Sequence, residues 1–319
     1  PPTLADDTLQ VATLLASPDA RELLLQHLEK GINEGVSGVM PKLLREDKTT
    51  TATQEYIVKT GRLDLPGLSI NEYLCLLAAR RAGLDVPEAR LSDDGSVLAL
   101  RRFDRPDSGI IPGVEDFCSL EGNDPASKYE GSLEGLARRL NDYVRPKAFL
   151  DNATRLFKLL LLNYTIHNAD AHLKNFALTY TSLDDVALAP VYDILTVTAY
   201  PRFSRDIPGL TLEGKKVWGC GKALHRYAAQ RLQLPSGTRT AALDSVTSAI
   251  EETFADIRAY AEKYPYFRET AKIMLDQWEL GLTGILPSAT VKLPLPGEVR
   301  KSFGMSDQTP QRQSANAYV

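Results

Sequence analysis

Cysteine is scarce in this 319-residue chain, and the three present, Cys75, Cys118 and Cys220, stand far apart with no pair at metal-ligand spacing. That excludes a disulfide framework and a cysteine zinc site, and it leaves buried free thiols in a reducing compartment as the reading. An excess of charge of one sign is also lacking, since 37 Lys and Arg against 41 Asp and Glu leave a net charge of −4. The chain as a whole therefore has no electrostatic footprint of a nucleic-acid binder. Long apolar runs are missing too. The most apolar stretch, Leu159–Ala169, is uncharged but only about half the roughly 20 residues that a membrane-spanning helix needs. The opening PPTLADDTLQ has neither the basic region nor the apolar core of a signal peptide, so the expectation is a cytoplasmic protein with no membrane partner. What is present is ordinary for a folded chain. Hydrophobic residues make up 43% and charged residues 24%, which excludes disorder and collagen, in a length that suits about two domains.

The spacing predicts two short helices in the first thirty or so residues, the second with Ser17 as N-cap, Pro18 at its first position and Gly31 past its end. GINEGVSGVMPKLL then reads as a glycine-punctuated loop, and QEYIVKTGR as a strand around Tyr56, Val58 and Lys59. SINEYLCLLAARRAG predicts a helix with Ser69 and Glu72 as a capping box and Gly83 as its stop. EARLSDDGSVLALRRF reads as a hairpin turning at Asp94-Gly95. Beyond Pro106 the pattern is mainly helical. The stretch from about Leu150 to His167 is apolar nearly all round, as a central buried helix would be. Short strands are expected near NFALTY and DVALAP, then two long helices from Thr238 broken at Tyr264-Pro265, then a mobile Gln- and Ser-rich tail. The outline is an α+β protein with a β-rich N-terminal lobe over residues 1–105 and a larger, mostly α-helical lobe over residues 106–319.

Chemistry concentrates in His167-Asn168-Ala169-Asp170-Ala171-His172-Leu173-Lys174-Asn175 and in Val191-Tyr192-Asp193, just past the buried helix, where loops on a rigid support carry function. Phosphoryl transfer needs one carboxylate near the attacking hydroxyl and oxygen ligands for Mg²⁺ between the phosphates. Asp170 and Asn175 have the D-x-x-x-x-N spacing of the kinase catalytic loop, and Asp193 follows a strand pair, where a second magnesium carboxylate belongs. Alone, that spacing fits a turn capped by Asp170 equally well. Gly35-Val36-Ser37-Gly38 could bring backbone N–H groups to phosphate oxygens or be a plain turn. Lys59 could pair phosphates or snorkel from an edge strand. Glu72 could hold that lysine or cap its helix.

The stretches NEYLCLLAARRAGLDVPEARL, LALRRFDR, EDFCSLEG, KYEG, NADAHLKNFAL and APVYD run in one order from about residue 30 onward. In that order the chain resembles the HipA family of bacterial serine/threonine kinases, the toxins of toxin–antitoxin modules. The resemblance implies a two-lobed, protein-kinase-like fold using ATP and Mg²⁺. It implies Asp170 as catalytic base and Asn175 and Asp193 as magnesium ligands. Ser37, Gly38, Val39, Met40, Pro41 and Lys42 would form the phosphate loop, Lys59 would pair the phosphates, and Arg101, Arg102 and Phe103 would form the adenine-side hinge. His172, Leu173, Lys174, Asn175, Tyr192 and Asp193 would line the nucleotide. Ser37 would be the autophosphorylated serine. The partners implied are a protein substrate, which in the best-known relatives is an aminoacyl-tRNA synthetase, and a helix-turn-helix antitoxin through which DNA is reached indirectly.

Two positions depart from the family pattern. Met40 stands where an amide is usual, and a thioether donates no hydrogen bond. Arg101 stands at a hinge position that is often acidic. About thirty residues precede the phosphate loop, so the likeness is to the shorter, HipT-like type or to a kinase region alone. A small-molecule kinase and a catalytically silent antitoxin-binding module are the other readings.

Overall fold

The computed structural model describes residues 10–33, 50–53, 55–106 and 108–287, with residues 29–33 described by their backbone only. The phosphate-loop positions Ser37, Gly38, Val39, Met40, Pro41 and Lys42, and the tail, lie outside the described residues.

The N-terminal part is built on β1 (Thr50–Ala52), β2 (Tyr56–Thr60), β3 (Ala89–Leu91) and β4 (Val97–Arg101), antiparallel in the order β1-β2-β4-β3. Alternation along β2 and β4 assigns each face of the sheet. Val58, Val97 and Ala99 pack on α1 (Val11–Leu15) and α2 (Ala20–Asn33), through Leu14, Leu15 and Leu24. Leu98 and Leu100 face the other way, into the core shared with α3 (Leu68–Arg81). Lys59 pairs with Leu98 in the register, so it shares the α3 side. A polar side chain thus enters the apolar face of a central strand, which needs a buried partner.

Three boundaries differ from the sequence reading. Gly67, at φ +71°, leads straight into α3, so Ser69 and Glu72 form no capping box. Ser69 Oγ instead donates to the Ser96 carbonyl at 2.8 Å, and Glu72 is released for other work. Asp19, not Ser17, accepts the first helical bond of α2 from Leu23 N at 3.2 Å, and Asp94 Oδ2 caps Ala20 N at 3.1 Å. Gly31 lies inside α2, which runs on to Asn33; glycine in a helix interior costs only about 1 kcal/mol relative to alanine. The other end of α3 is as expected. Gly83, at φ +74°, closes a Schellman motif, with Leu84 N to Ala79 O and Gly83 N to Arg80 O both at 3.0 Å.

The second part carries a small sheet that the mainly helical reading understated. β5 (Gly113–Asp116) pairs antiparallel with β6 (Ala177–Tyr180), which pairs with β7 (Ala187–Leu188). Around it lie α4 (Phe117–Leu120), α5 (Leu133–Tyr143), α6 (Pro146–Thr165), α7 (Gly221–Gln230), α8 (Ser236–Lys263) and α9 (Arg268–Ile285). The helix α6 is the expected central one. Leu156, Phe157 and Leu159 to Leu162 are all buried, and Asn152 Oδ1 accepts from Leu188 N at 2.7 Å, tying it to β7. The arrangement is α+β in two lobes, and α3 belongs to the core of both.

Helix α9 approaches α6 at Gly281, where a Cβ would run into the backbone carbonyl of Thr165. Backbone cannot yield as a side-chain tip can, and overpacking of this kind typically costs about 1–3 kcal/mol or more. Gly281→Ala should therefore lower the thermal midpoint clearly, whereas Gly237→Ala, which meets nothing within 4 Å, should not; thermal unfolding followed by circular dichroism checks both.

Candidate active site

The loop after α6 is organised by asparagine side chains. The helix stops at Ile166, and His167 takes φ +51° to reverse the chain. Asn168 N then bonds the Asn163 carbonyl at 2.9 Å, and Asn168 Nδ2 donates to Asn163 Oδ1 at 2.8 Å. The other amide atom, Asn168 Oδ1, accepts from Asp170 N at 3.2 Å. Asp170 is thus held by its backbone to the end of the buried helix α6 while its carboxylate stays half-exposed.

Asn175 sits on the single 3₁₀ turn Leu173–Asn175. Its Oδ1 accepts from His172 N at 3.2 Å, and its Nδ2 donates to the Asp193 carbonyl at 3.3 Å. Tyr192 hydroxyl donates to the Lys174 carbonyl at 2.9 Å, and its ring lies 5.8 Å from that of Phe103. So the loop and the Tyr192-Asp193 segment are laced together. Asp193, at φ +51°, turns its carboxylate toward the N-terminal sheet, where it pairs with Lys59 Nζ.

Lys59 also meets Glu72 at 2.7 Å; β2 is central, so the lysine is partnered rather than snorkelling from an edge, and Glu72 holds the lysine rather than capping its helix. Burial pulls the lysine's pKa down, but the Glu72 and Asp193 carboxylates outweigh it and hold it above its usual range. Burial raises the Glu72 pKa, and the lysine opposes that only in part. Desolvation lowers the pKa of His172, against the pull of Asp170, whose Oδ1 lies 3.8 Å from Nε2.

The remaining sequence candidates divide. Phe103 reaches the site through Tyr192, whereas the Arg102 guanidinium is committed to Asp104 at 2.5 Å and to the Thr53 carbonyl at 3.1 Å, bracing the link between lobes. Arg101 ends β4, its backbone N bonded to Glu88 O at 2.8 Å. Leu173 is a correction in part: its side chain is buried in the core against Gly131 and its N bonds Lys128 O at 3.0 Å. Only its backbone is left to line a cleft.

Asn71 and Tyr129 escaped the sequence reading. Asn71, on α3, grips the backbone of Thr196 twice, donating from Nδ2 to O at 3.1 Å and accepting at Oδ1 from N at 2.8 Å. Trp278 Nε1 holds the same residue's hydroxyl at 2.7 Å. Tyr129 donates its hydroxyl to Asp170 Oδ1. The only sequence signal for either was membership in a stretch quoted for the family resemblance.

A small sheet with helices on both faces, joined to a helical lobe by a lysine–glutamate–aspartate cluster beside an Asp-x₄-Asn loop, is a kinase-like α+β arrangement. More particularly, the chain belongs to the family of HipA-like C-terminal domains, whose sequence profile matches residues 35–259. It is 28% identical over 209 residues to Y4dM of Sinorhizobium fredii (strain NGR234), provisionally named a kinase, covering 58% of this chain and 50% of that protein. It is 35% identical over 169 residues to Y4mE of the same organism, also provisionally named a kinase, covering 47% and 37%. The chain thus spans about half the length of these relatives or less. In fold it is similar to a chain of the Shewanella oneidensis MR-1 toxin–antitoxin complex of HipA, HipB and operator DNA. There the TM-score is 0.53 at 17% identity, over 82% of this chain and 70% of that one.

His167, which begins the loop, is buried against Trp218 with ring centroids 4.6 Å apart, and its Nδ1 lies 2.5 Å from Gln277 Oε1. Burial lowers its pKa from 6.5 to about 4. A depressed folded pKa contributes stability above pH 6.5 that is lost as pH falls through about 4, and at 1.36 kcal/mol per unit the loss approaches about 3 kcal/mol. Asparagine tolerates the positive φ and does not titrate. Urea unfolding at pH 7 and pH 4.5 should show the wild type losing more stability than His167→Asn; parallel losses would contradict this assignment.

Proposed function

We propose that the chain is an ATP- and Mg²⁺-dependent protein serine/threonine kinase of the HipA-like type, acting in the cytoplasm as the toxin of a toxin–antitoxin module. The observation that carries the reading is the Lys59–Glu72–Asp193 cluster beside Asp170 and Asn175. It joins four parts of the sequence that carry the residue types phosphoryl transfer requires. The lobes would divide near residues 105–106, with the cleft between them holding the nucleotide.

The donor set fits magnesium. Asn175 Oδ1 has one lone pair committed to His172 N, leaving the other, and Asp193, whose backbone carbonyl Asn175 Nδ2 binds, keeps a half-exposed carboxylate. Two hard oxygens are enough for an ion that keeps several waters and takes further ligands from phosphates. When bound, Mg·ATP supplies the transferable phosphoryl group and offsets its charge. Lys59, fixed by Glu72, presents its ammonium to phosphate oxygens. Asp170 takes the proton of the attacking hydroxyl, and the Asn168 amide keeps it at the reacting end of the loop. Phe103 and Tyr192 provide an aromatic wall near the link between lobes. Ser37 is the proposed autophosphorylation site. The protein partners are a phosphorylated target and, by analogy with the HipA–HipB–operator complex, a DNA-binding antitoxin.

Purified protein with ATP and Mg²⁺ should transfer phosphate to itself or to a target. Asp170→Ala should lower that rate by about 10²–10⁴-fold, the range for a general base, with ATP affinity little changed. In Asn175→Ala, nucleotide binding followed by titration calorimetry should lose most of its dependence on added Mg²⁺. An Asp170→Ala variant that folds and transfers at the wild-type rate would overturn the base assignment.

A further inference from the structure

Among the described residues, Tyr129 makes a hydrogen bond to the Asp170 carboxylate that phosphoryl transfer does not call for. Its hydroxyl donates to Asp170 Oδ1, and an acceptor hydroxyl must come within about 2.6–3.2 Å of the base it gives its proton to. A carboxylate oxygen accepts along two directions, and the phenol takes one of those of Oδ1 on the half-exposed carboxylate. Resting on the kinase reading above, we infer that the Tyr129 phenol occupies the seat of the acceptor hydroxyl on Asp170, and that a substrate serine or threonine enters by displacing it.

The local construction separates what can move from what cannot. The backbone around Tyr129 is pinned on three sides. Leu173 N bonds Lys128 O at 3.0 Å, Lys216 Nζ bonds Tyr129 O at 3.0 Å, and Thr211 N bonds Gly131 O at 3.1 Å. The residue as a whole, by contrast, is 40% exposed. It meets the edge of His172 with centroids 5.1 Å apart and carries Lys128 Nζ 5.0 Å from its ring centre. Displacement is therefore a rotation of the ring into solvent, not a movement of the loop. Burial and the Asp170 carboxylate push the phenol's pKa up, so it remains a donor at physiological pH. Tyrosine also reaches its hydroxyl from a backbone farther away than serine does. A serine delivering its hydroxyl to the same oxygen must pass its own backbone through the volume the ring now fills, so entry and ring departure are one event.

The full chain and water as the acceptor test this without knowledge of the target. At saturating Mg·ATP and with no protein acceptor, Tyr129→Phe removes one oxygen and leaves a water-sized seat against Asp170, so ATP hydrolysis should rise several-fold over wild type. Tyr129→Ala should raise it further, and Tyr129→Phe/Asp170→Ala should fall back to the level of Asp170→Ala. A folded Tyr129→Phe with wild-type ATP affinity whose hydrolysis is unchanged or lower would make the phenol a fixed strut and overturn the inference alone. A wild type that neither binds Mg·ATP nor transfers phosphate would overturn the kinase reading, and the inference with it.

Discussion

A lysine on the apolar side of a central strand is the constraint from which the site follows. Lys59, in the middle of β2, keeps only 18% of its side chain exposed, so its charge is met chiefly inside the protein. Breaking such a pair by removing one partner costs about 3–5 kcal/mol, because an uncompensated buried charge remains. That demand fixes the face of α3 that Glu72 presents, and hence the entry of α3 at Gly67. It also draws the Tyr192-Asp193 segment of the helical part up to the N-terminal sheet. The two carboxylates are not equivalent. Glu72, with 8% of its side chain exposed, has no solvent to turn to, whereas Asp193, at 47%, does. The lysine therefore has one permanent partner and one that can be shared with another cation.

The partner that can be shared needs its backbone held independently, and the structure provides for that. Asn71 binds both backbone atoms of Thr196, three residues past Asp193, and Trp278 binds its hydroxyl. Val191 N bonds Asp85 O at 2.8 Å on the other side. Asp193 thus sits between two anchors, one from α3 and α9 and one from the turn after α3. A non-glycine residue at φ +51° persists only where its surroundings over-determine it, and these contacts do so.

The parts legible in the sequence were those with a local signature. The all-round apolar texture of α6, the Schellman glycine at Gly83 and the turn at Asp94-Gly95 each depend on near neighbours, and each is found where expected. What failed depended on distant ones. Ser69 and Glu72 have the spacing of a capping box, but Ser96 and Lys59, remote in sequence, compete for them and win. Asp94, legible as a turn residue, also caps α2 from 74 positions away, which no window of sequence can contain. β5 was missed because a four-residue edge strand with Val114 half in solvent has too little alternation to register. In the site, residue types and order were readable, while Asn71 and Tyr129 were not, because a supporting hydrogen bond has no spacing rule.

The distribution of burial follows the division of labour. Asp170, Asp193 and Tyr129, the groups that would meet a substrate or nucleotide, are each between 40% and 47% exposed. The groups that hold them, Glu72, Asn71, Asn168 and Thr196, are buried to within a few per cent. A hydrogen bond from a buried amide is made in low dielectric with no competing water, so it fixes orientation firmly. A carboxylate at the surface of the same loop keeps its hydration until a ligand replaces it. Asn168 joins the two regimes within three residues, with its amide buried on Asn163 and its oxygen on the Asp170 backbone. The Asp170 carboxylate can exchange water for a ligand while the peptide that carries it stays tied to the end of α6.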